Sequence, residues 1–321
     1  MLSRVADSIF WMSRYIERAE NIARFVDATM TLTLDLPADD TAAWAELIAS
    51  VGDPEDFAAR YGSPSPATVL RYLTFDERNP NSILTTLARA RENARCVRDA
   101  ISSEMWEQAN TFYLDVKGAA AQGRFGAMPH AFFAQVKLAS HQFVGVTDST
   151  MSHGEAWHFN RIGRLLERAD KTACILGAER FNRATTSPAA ASPSEMLIDD
   201  LDWSGLLKAA SAHEMYRKKH GRIEPHRVFE FLILSREFPR AAHYCLLRCV
   251  ESVHAISGTL PGTYTNPPEQ RLGRLAAQLD YAGVEDILPP EVGGDARPFL
   301  TRLRSDLYAV GDAIAAAFFP S

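Results

Sequence analysis

The stretch Arg14-Tyr15-Ile16-Glu17-Arg18-Ala19-Glu20-Asn21-Ile22-Ala23-Arg24 returns 150 residues later as Arg164-Leu165-Leu166-Glu167-Arg168-Ala169-Asp170-Lys171-Thr172-Ala173-Cys174. Both copies read R-x-φ-E-R-A-acid-x-x-A, where φ is apolar. Five identities at fixed spacing point to an internal duplication, or to two helices doing one job. Arg89-Ala90-Arg91-Glu92-Asn93-Ala94-Arg95 is a weaker echo. At about 100° per residue, Arg14, Glu17, Arg18 and Asn21 share one helical stripe, with Arg24 at its edge. Met12, Ile16, Ala19, Ala23 and Val26 lie roughly opposite. The charged stripe also carries Phe10, Trp11 and Phe25, and its second copy carries Trp157 and Ile175. A helix apolar on both sides of a charged stripe belongs in the middle of a bundle.

Working outward, apolar positions recur at three and four throughout, and no alternating strand pattern stands out. The spacing predicts a first helix from an N-cap at Ser3 to a stop at Pro37, then helices from Thr41, Pro54 and Pro66. Asn81 is read as the cap of one long helix from Ser82 to about Ala121, ended by Gly123 and Gly126. Pro129 opens another, continuing past Gly154 to about Arg183. Residues 184–194 read as a flexible tract. Helices at about 194–219, 225–235, 239–257, 267–282 and 295–319 follow. The expected architecture is one all-α domain over 1–321, a bundle of long helices with an internal pseudo-repeat in segments of about 1–36 and 155–183. The first helix should pack against the helix carrying Glu167 and Arg168.

Composition bounds the function. The 321 residues are 46% apolar and 23% charged, too apolar for a disordered chain. At this length roughly 70–75% of the unfolded surface can be buried without staples. A net charge of −6 argues against a basic field for nucleic acid. Cys96, Cys174, Cys245 and Cys249 are too few and scattered for a disulfide scaffold and read as small buried hydrophobes. Asp7 interrupts the apolar run a signal peptide needs, so the start reads as mature sequence. No stretch approaches the ~18 apolar residues of a membrane span. The expected compartment is the cytoplasm. No H-E-x-x-H, G-x-S-x-G, S-x-x-K, G-x-x-x-x-G-K or G-x-G-x-x-G occurs, so neither metal nor cofactor is expected. Trp11, Trp106 and Trp157 read as core.

The ordered set of motifs resembles the alpha-E family, bacterial proteins named for their α-helical content and Glu-Arg motif. The likeness covers nearly the whole chain. It runs through Met1-Leu2-Ser3-Arg4 to Arg24, Asn79-Pro80-Asn81-Ser82-Ile83, Ala90 to Arg95, and Ile101-Ser102-Ser103-Glu104-Met105-Trp106-Glu107. It continues at His158-Phe159 with Arg161, Glu167 to Asp170, Tyr216-Arg217 and Pro239-Arg240. The resemblance implies a gene beside, or fused to, a circularly permuted ATP-grasp protein, often near a transglutaminase-like peptidase. It implies a system that makes, attaches or removes a peptide or amide-linked tag. Its motif residues fall here on Glu17, Arg18, Asn21, Arg24, Asn93, Arg95, Glu167, Arg168 and Asp170. The sequence departs from the pattern at Lys171, at Cys174 and near Val144, where the family pattern suggests Asn, Arg and Arg.

Three readings of the stripes stay open at this point: a solvated face, a buried ion-pair network, and a ligand site. Arginine grips carboxylates with a planar fork. A pocket of Arg14, Arg18, Asn93 and Arg95 would suit a peptide or amino-acid carboxylate, with Asn21, Arg24, Arg168 and Asp170 as further binding candidates. Glu17 and Glu167 are the catalytic candidates. The leading expectation is an accessory protein of an ATP-grasp-linked amide-forming system that recognises a carboxylate-bearing substrate or docks the ligase. The alternatives are an enzyme of amide chemistry using Glu17 and Arg18, and a helical scaffold with buried salt bridges.

Overall fold

A computed structural model describes residues 1–35, 41–121, 128–178, 181, 193–290 and 294–320. Among them are fifteen helices and no strand. In chain order they are α1 (Ser3–Leu32), α2 (Ala42–Val51), α3 (Pro54–Tyr61), α4 (Pro66–Thr74), α5 (Ile83–Cys96), α6 (Ser103–Ala121), α7 (Pro129–Thr150), α8 (Glu155–Leu176), α9 (Pro193–Ala209), α10 (His213–His220), α11 (Pro225–Leu234), α12 (Ala242–Ser257), α13 (Pro267–Tyr281), α14 (Val284–Ile287) and α15 (Arg297–Phe318).

The duplication extends to the architecture. Helix α1 packs on α5 and α7, α5 on α6, and α6 on α7, which closes a four-helix bundle. Helices α8, α12, α13 and α15 repeat the same circuit, α8 packing on α12 and α15. Short helices fill corresponding gaps in sequence, α2–α4 between α1 and α5, and α9–α11 between α8 and α12. The bundles join through α1 and α8, which run parallel: the Met1 amino group meets Glu155, Gly163 lies against Phe10 and Ser13, and Glu17 meets Arg168. Each level of α1 therefore faces the level about 150 residues later.

This explains the two-sided apolarity of α1. Ile9, Met12, Ile16 and Ala19 enter the core of the first bundle, while Phe10 enters that of the second. Helix α8 does the reverse, with Ile162, Leu165 and Leu166 in its own core and Phe159 in the other. A fully buried side chain of this size contributes about 1.5–3 kcal/mol.

Several sequence expectations are corrected. Ser3 is already helical, and Leu2 holds the cap position without a side-chain cap bond. Helix α1 ends at Leu32 in a short 3₁₀ turn, Thr33–Asp35, while Pro37 lies outside the described residues. Ser82, one residue past Asn81, caps α5 by accepting the Thr85 N–H. The long run to Ala121 is two helices. Val97 and Ile101 turn into the core between them, and the Ser102 hydroxyl accepts the Met105 N–H to start α6. The run after Pro129 also breaks, at Met151–Gly154, where Gly154 takes the cap position of α8. The run expected over 194–219 breaks between α9 and α10, where Ser211 has φ 50°. Gly123, Gly126, and 184–192 of the expected flexible tract lie outside the described residues; Pro193 and Ser194 begin α9.

Close approach of α1 and α8 depends on Gly163, where a Cβ would overlap the Phe10 carbonyl and the Ser13 hydroxyl. Gly163→Ala should therefore lower the unfolding free energy by about 1–3 kcal/mol through overpacking. Gly145→Ala on exposed α7, where an added Cβ meets nothing within 4 Å, should raise it by about 0.5–1 kcal/mol. Urea unfolding of both variants checks the contrast.

Candidate functional site

The charged stripes face each other across the α1–α8 seam and exchange partners. Glu167 of α8 accepts from Arg18 Nε at 2.7 Å and Arg18 Nη2 at 3.0 Å, and from Arg14 Nε at 3.0 Å. Reciprocally, Glu17 of α1 accepts Arg168 Nε and Nη2, both at 2.8 Å. Asn21 Nδ2 adds a bond to Glu17 Oε1 at 3.1 Å, and Arg240 Nη1 one at 3.4 Å. Both glutamates are about 1% exposed or less, so each carboxylate is dry and held by arginine forks from the opposite helix.

A second layer lies one turn further along each helix. Glu20 is fully buried and takes Arg24, Arg240 and the Ser140 hydroxyl. Arg24 also reaches the Ser211 hydroxyl and His141 Nε2. Asp170 takes Lys171 at 2.9 Å and Arg304 at 2.9 Å. Beyond Arg24 a cavity of about 310 Å³ lies between α1, α7 and α9, lined by Arg24, Asp27, Lys137, Ser204 and Lys208. At the corresponding end of α8, Cys174 and Arg304 line one of about 700 Å³.

The charge balance is uneven. Glu17, Glu20, Glu167 and Asp170, with Asp148 near Arg164, face Arg14, Arg18, Arg24, Arg164, Arg168, Lys171, Arg240 and Arg304, three cations in excess within this lattice. Burial alone would raise the Glu167 carboxyl, but Arg18, Arg14 and Lys171 hold it far below the usual carboxylate range. Glu20 is likewise pushed up by burial and held well down by Arg240, His141 and Arg24. Burial beside Arg168 pulls the Arg240 guanidinium down to about 10.

The structure thus brings together Arg14, Glu17, Arg18, Asn21, Arg24, Glu167, Arg168 and Asp170. It does not bring Asn93 and Arg95 to them. Arg95 is exposed on α5 and pairs with Glu92 at 2.5 Å, and the weak echo to which it belongs faces α6, where Arg91 bonds Asn110. Neither Glu17 nor Glu167 has the geometry of a general base, since both oxygens of each already accept guanidinium hydrogens. Sequence reading passed over Glu20, Arg240 and Arg304 as site residues. Glu20 occupies the repeat position of Asp170, so the duplication itself pointed to it. Arg240 follows Pro239 just ahead of α12, as Asn81 follows Pro80 ahead of α5, and Asn81 accepts from Arg18 at 3.3 Å. Arg304 carried no local signal. The three tryptophans read as core sit part-buried under arginines: Arg14 lies 5.0 Å from Trp11, Arg98 5.1 Å from Trp106 and Arg161 5.2 Å from Trp157. Cys96 is exposed, whereas the other three cysteines are buried, and burial pushes the Cys245 thiol up to about 12.

A family model for a predicted alpha-helical domain with a conserved ER motif, Alpha-E, matches residues 1–319. The chain belongs to the Alpha-E family. Glu17-Arg18 and Glu167-Arg168, the two copies of the Glu-Arg motif, are the pairs that exchange partners across the seam. The chain is similar to an uncharacterized protein of Mycobacterium bovis, 26% identical over 330 residues, which cover 95% of this chain and 35% of the relative. An uncharacterized protein of Mycobacterium tuberculosis strain H37Rv is 25% identical with the same coverage. The chain thus spans about a third of the length of these curated relatives. No solved structure matches it. Among the described residues, no helix is long and apolar enough to cross a membrane.

Removing one partner of a buried pair strands the other, so Glu167→Gln, which leaves Arg14 and Arg18 uncompensated, should cost about 3–5 kcal/mol. Arg95→Ala should leave the melting temperature unchanged. The carboxyl of Glu167 is depressed in the fold from a reference near 4.5. Its contribution is therefore complete above that pH and is lost as pH falls toward the folded-state value. Melting curves from pH 7 to 3 should show wild type losing stability below about pH 4.5 more steeply than Glu167→Gln.

Proposed function

We propose that this Alpha-E protein is an accessory partner of an ATP-grasp-linked amide-forming or peptide-tagging system, acting in the cytoplasm. It presents the cationic Glu-Arg core to a carboxylate-bearing substrate or to the ligase. The observation that carries this reading is the engagement of both oxygens of Glu17 and of Glu167 by arginine forks beneath an excess of cations. Both acids are dry and tied through each oxygen to arginine forks, which makes them poor bases, and what the core has left to offer is positive charge. Activation of a carboxylate then falls to the ATP-grasp partner, and a transglutaminase-like peptidase would act on the same amide-linked product. Relatives that carry this segment as about a third of a longer chain fit a domain working beside a tethered partner. The scaffold reading draws on a different observation, the reciprocal exchange of arginines, which fixes the register of α1 on α8. The two are compatible, since a rigid lattice is what holds surplus arginines in place.

The test is ATP turnover and amide-product formation by the circularly permuted ATP-grasp protein, alone and with this chain. Product per ATP consumed should rise severalfold when the chain is present. Identical turnover and product with and without it would overturn the accessory reading. Product formed by this chain without the ligase would move the catalysis here.

A further inference from the structure

The pseudo-symmetry of the lattice is broken at one residue. Arg14 and Arg164 occupy the same position in the two motif copies. Arg14 Nε donates to Glu167 at 3.0 Å, so its counterpart should donate to Glu17. It does not. Glu17 is occupied by Arg168 through two bonds, by Asn21, and by Arg240, which enters from the second bundle where the first has the neutral Asn81. Arg164 is left with no hydrogen bond or ion pair among the described residues, and its Nε is sealed from solvent without a partner. Every other charged residue of the two motif copies is paired.

A buried guanidinium N–H without an acceptor keeps the full penalty of leaving water. The other nearby acids do not relieve it. Asp148 on α7 accepts the Trp157 indole N–H at 3.1 Å, and Glu251 holds Arg161 at 3.1 Å. Arg161, Arg164 and Arg168 stand at three- and four-residue spacing along one face of α8. Only Nε is sealed: Arg164 as a whole is part-buried, and its two Nη nitrogens, equally without a partner, keep contact with solvent.

We propose that Arg164 is the ligand-binding residue of this core, and that a carboxylate of a bound peptide, its C-terminus or an acidic side chain, supplies to Arg164 what Glu167 supplies to Arg14. Arg161 and Arg168 flank the site and keep its potential positive. The mate of Arg164 sets the ligand class, since the acceptor that completes the symmetric arrangement is a carboxylate, here taken on the Nη nitrogens while Nε stays sealed. The neighbouring excess of cations agrees with this, because burial and the closeness of Arg168 already disfavour the charged form of Arg164. A bound anion relieves both penalties. This inference deepens the proposed function and rests on its reading of the core as a carboxylate-recognising surface.

Titration calorimetry at constant ionic strength tests it on the full chain with three probes: N-acetylglutamate, its fully amidated analogue, and inorganic phosphate. Wild type should bind N-acetylglutamate and ignore the amide. Arg164→Gln should weaken that binding by about tenfold or more, the loss expected for a charge-assisted fork, and Arg164→Lys should fall between. Arg164→Gln should melt no lower than wild type, whereas Arg168→Gln, which strands Glu17, should melt clearly lower. Equal binding by wild type and Arg164→Gln would overturn the proposal, as would binding of phosphate alone or of no probe. An Arg164→Gln melting point as low as that of Arg168→Gln would also overturn it, by making Arg164 a strut. Should wild type bind the carboxylate through Arg164 while ligase turnover and product are the same with and without the chain, the site stands and the accessory reading falls. Should Arg164→Gln bind normally yet fail to support turnover, the site falls and the accessory reading stands.

Discussion

Two glutamates, Glu17 and Glu167, are each neutralised by arginines that belong to the other's helix, and the two-bundle architecture depends on that exchange. A carboxylate about 1% exposed or less is tolerable only when paired and hydrogen-bonded. Here the pairing groups sit on the opposite side of the seam. Neither bundle can slide or rotate on the other without stranding dry charges on both. A slip of one residue turns a helix by about 100° and carries the whole stripe away from its partners. The lattice is therefore better understood as a device for register than as a source of net stability, which comes from the two apolar cores around it. Gly163 plays the complementary steric part, bringing the backbones close enough for short side-chain forks to span the seam.

The same duplication that builds the lattice also makes its departures readable. Arg240 stands where the first bundle has Asn81, and Arg304 reaches Asp170 from a helix whose counterpart, α7, offers Ser140 and His141 to Glu20. These substitutions add positive charge without adding acid. A purely structural lattice would be expected to balance its charges, because each unpaired buried ion costs several kcal/mol. In the lattice α1 and α8 each carry one cation more than acid, and Arg240 and Arg304 add two more from the second bundle.

The legible parts of the molecule were those written in local pattern. Periodicity at three and four revealed helices, and the repeated Glu-Arg segment marked α1 and α8 as partners. Helix breaks inside long periodic runs were missed, at Val97–Ser102 and Ala210–Ala212 where no glycine or proline marks them and at Met151–Gly154 where one glycine does. At Val97–Ser102 the chain turns because two apolar side chains are needed in the core, and that need is set by neighbours distant in sequence. The placement of Asn93 and Arg95 failed for a related reason. An arginine in a helix looks the same whether its face is turned to the seam or to water, and α5 turns that one to water. Arg304 lies 134 residues from its acid, with nothing in its surroundings to announce it.

By itself, then, the sequence determined an all-helical chain, its duplication, its family and the pair of helices at its centre, because all of these follow from residue spacing along one strand of chain. Only the tertiary structure decided which charges face one another, that both glutamates are held by arginine forks, and that Arg164 is left over. Those outcomes depend on competition among arginines brought together from Arg14 to Arg240, and the winner for each carboxylate is set by distance and angle in space, which spacing along the chain does not encode.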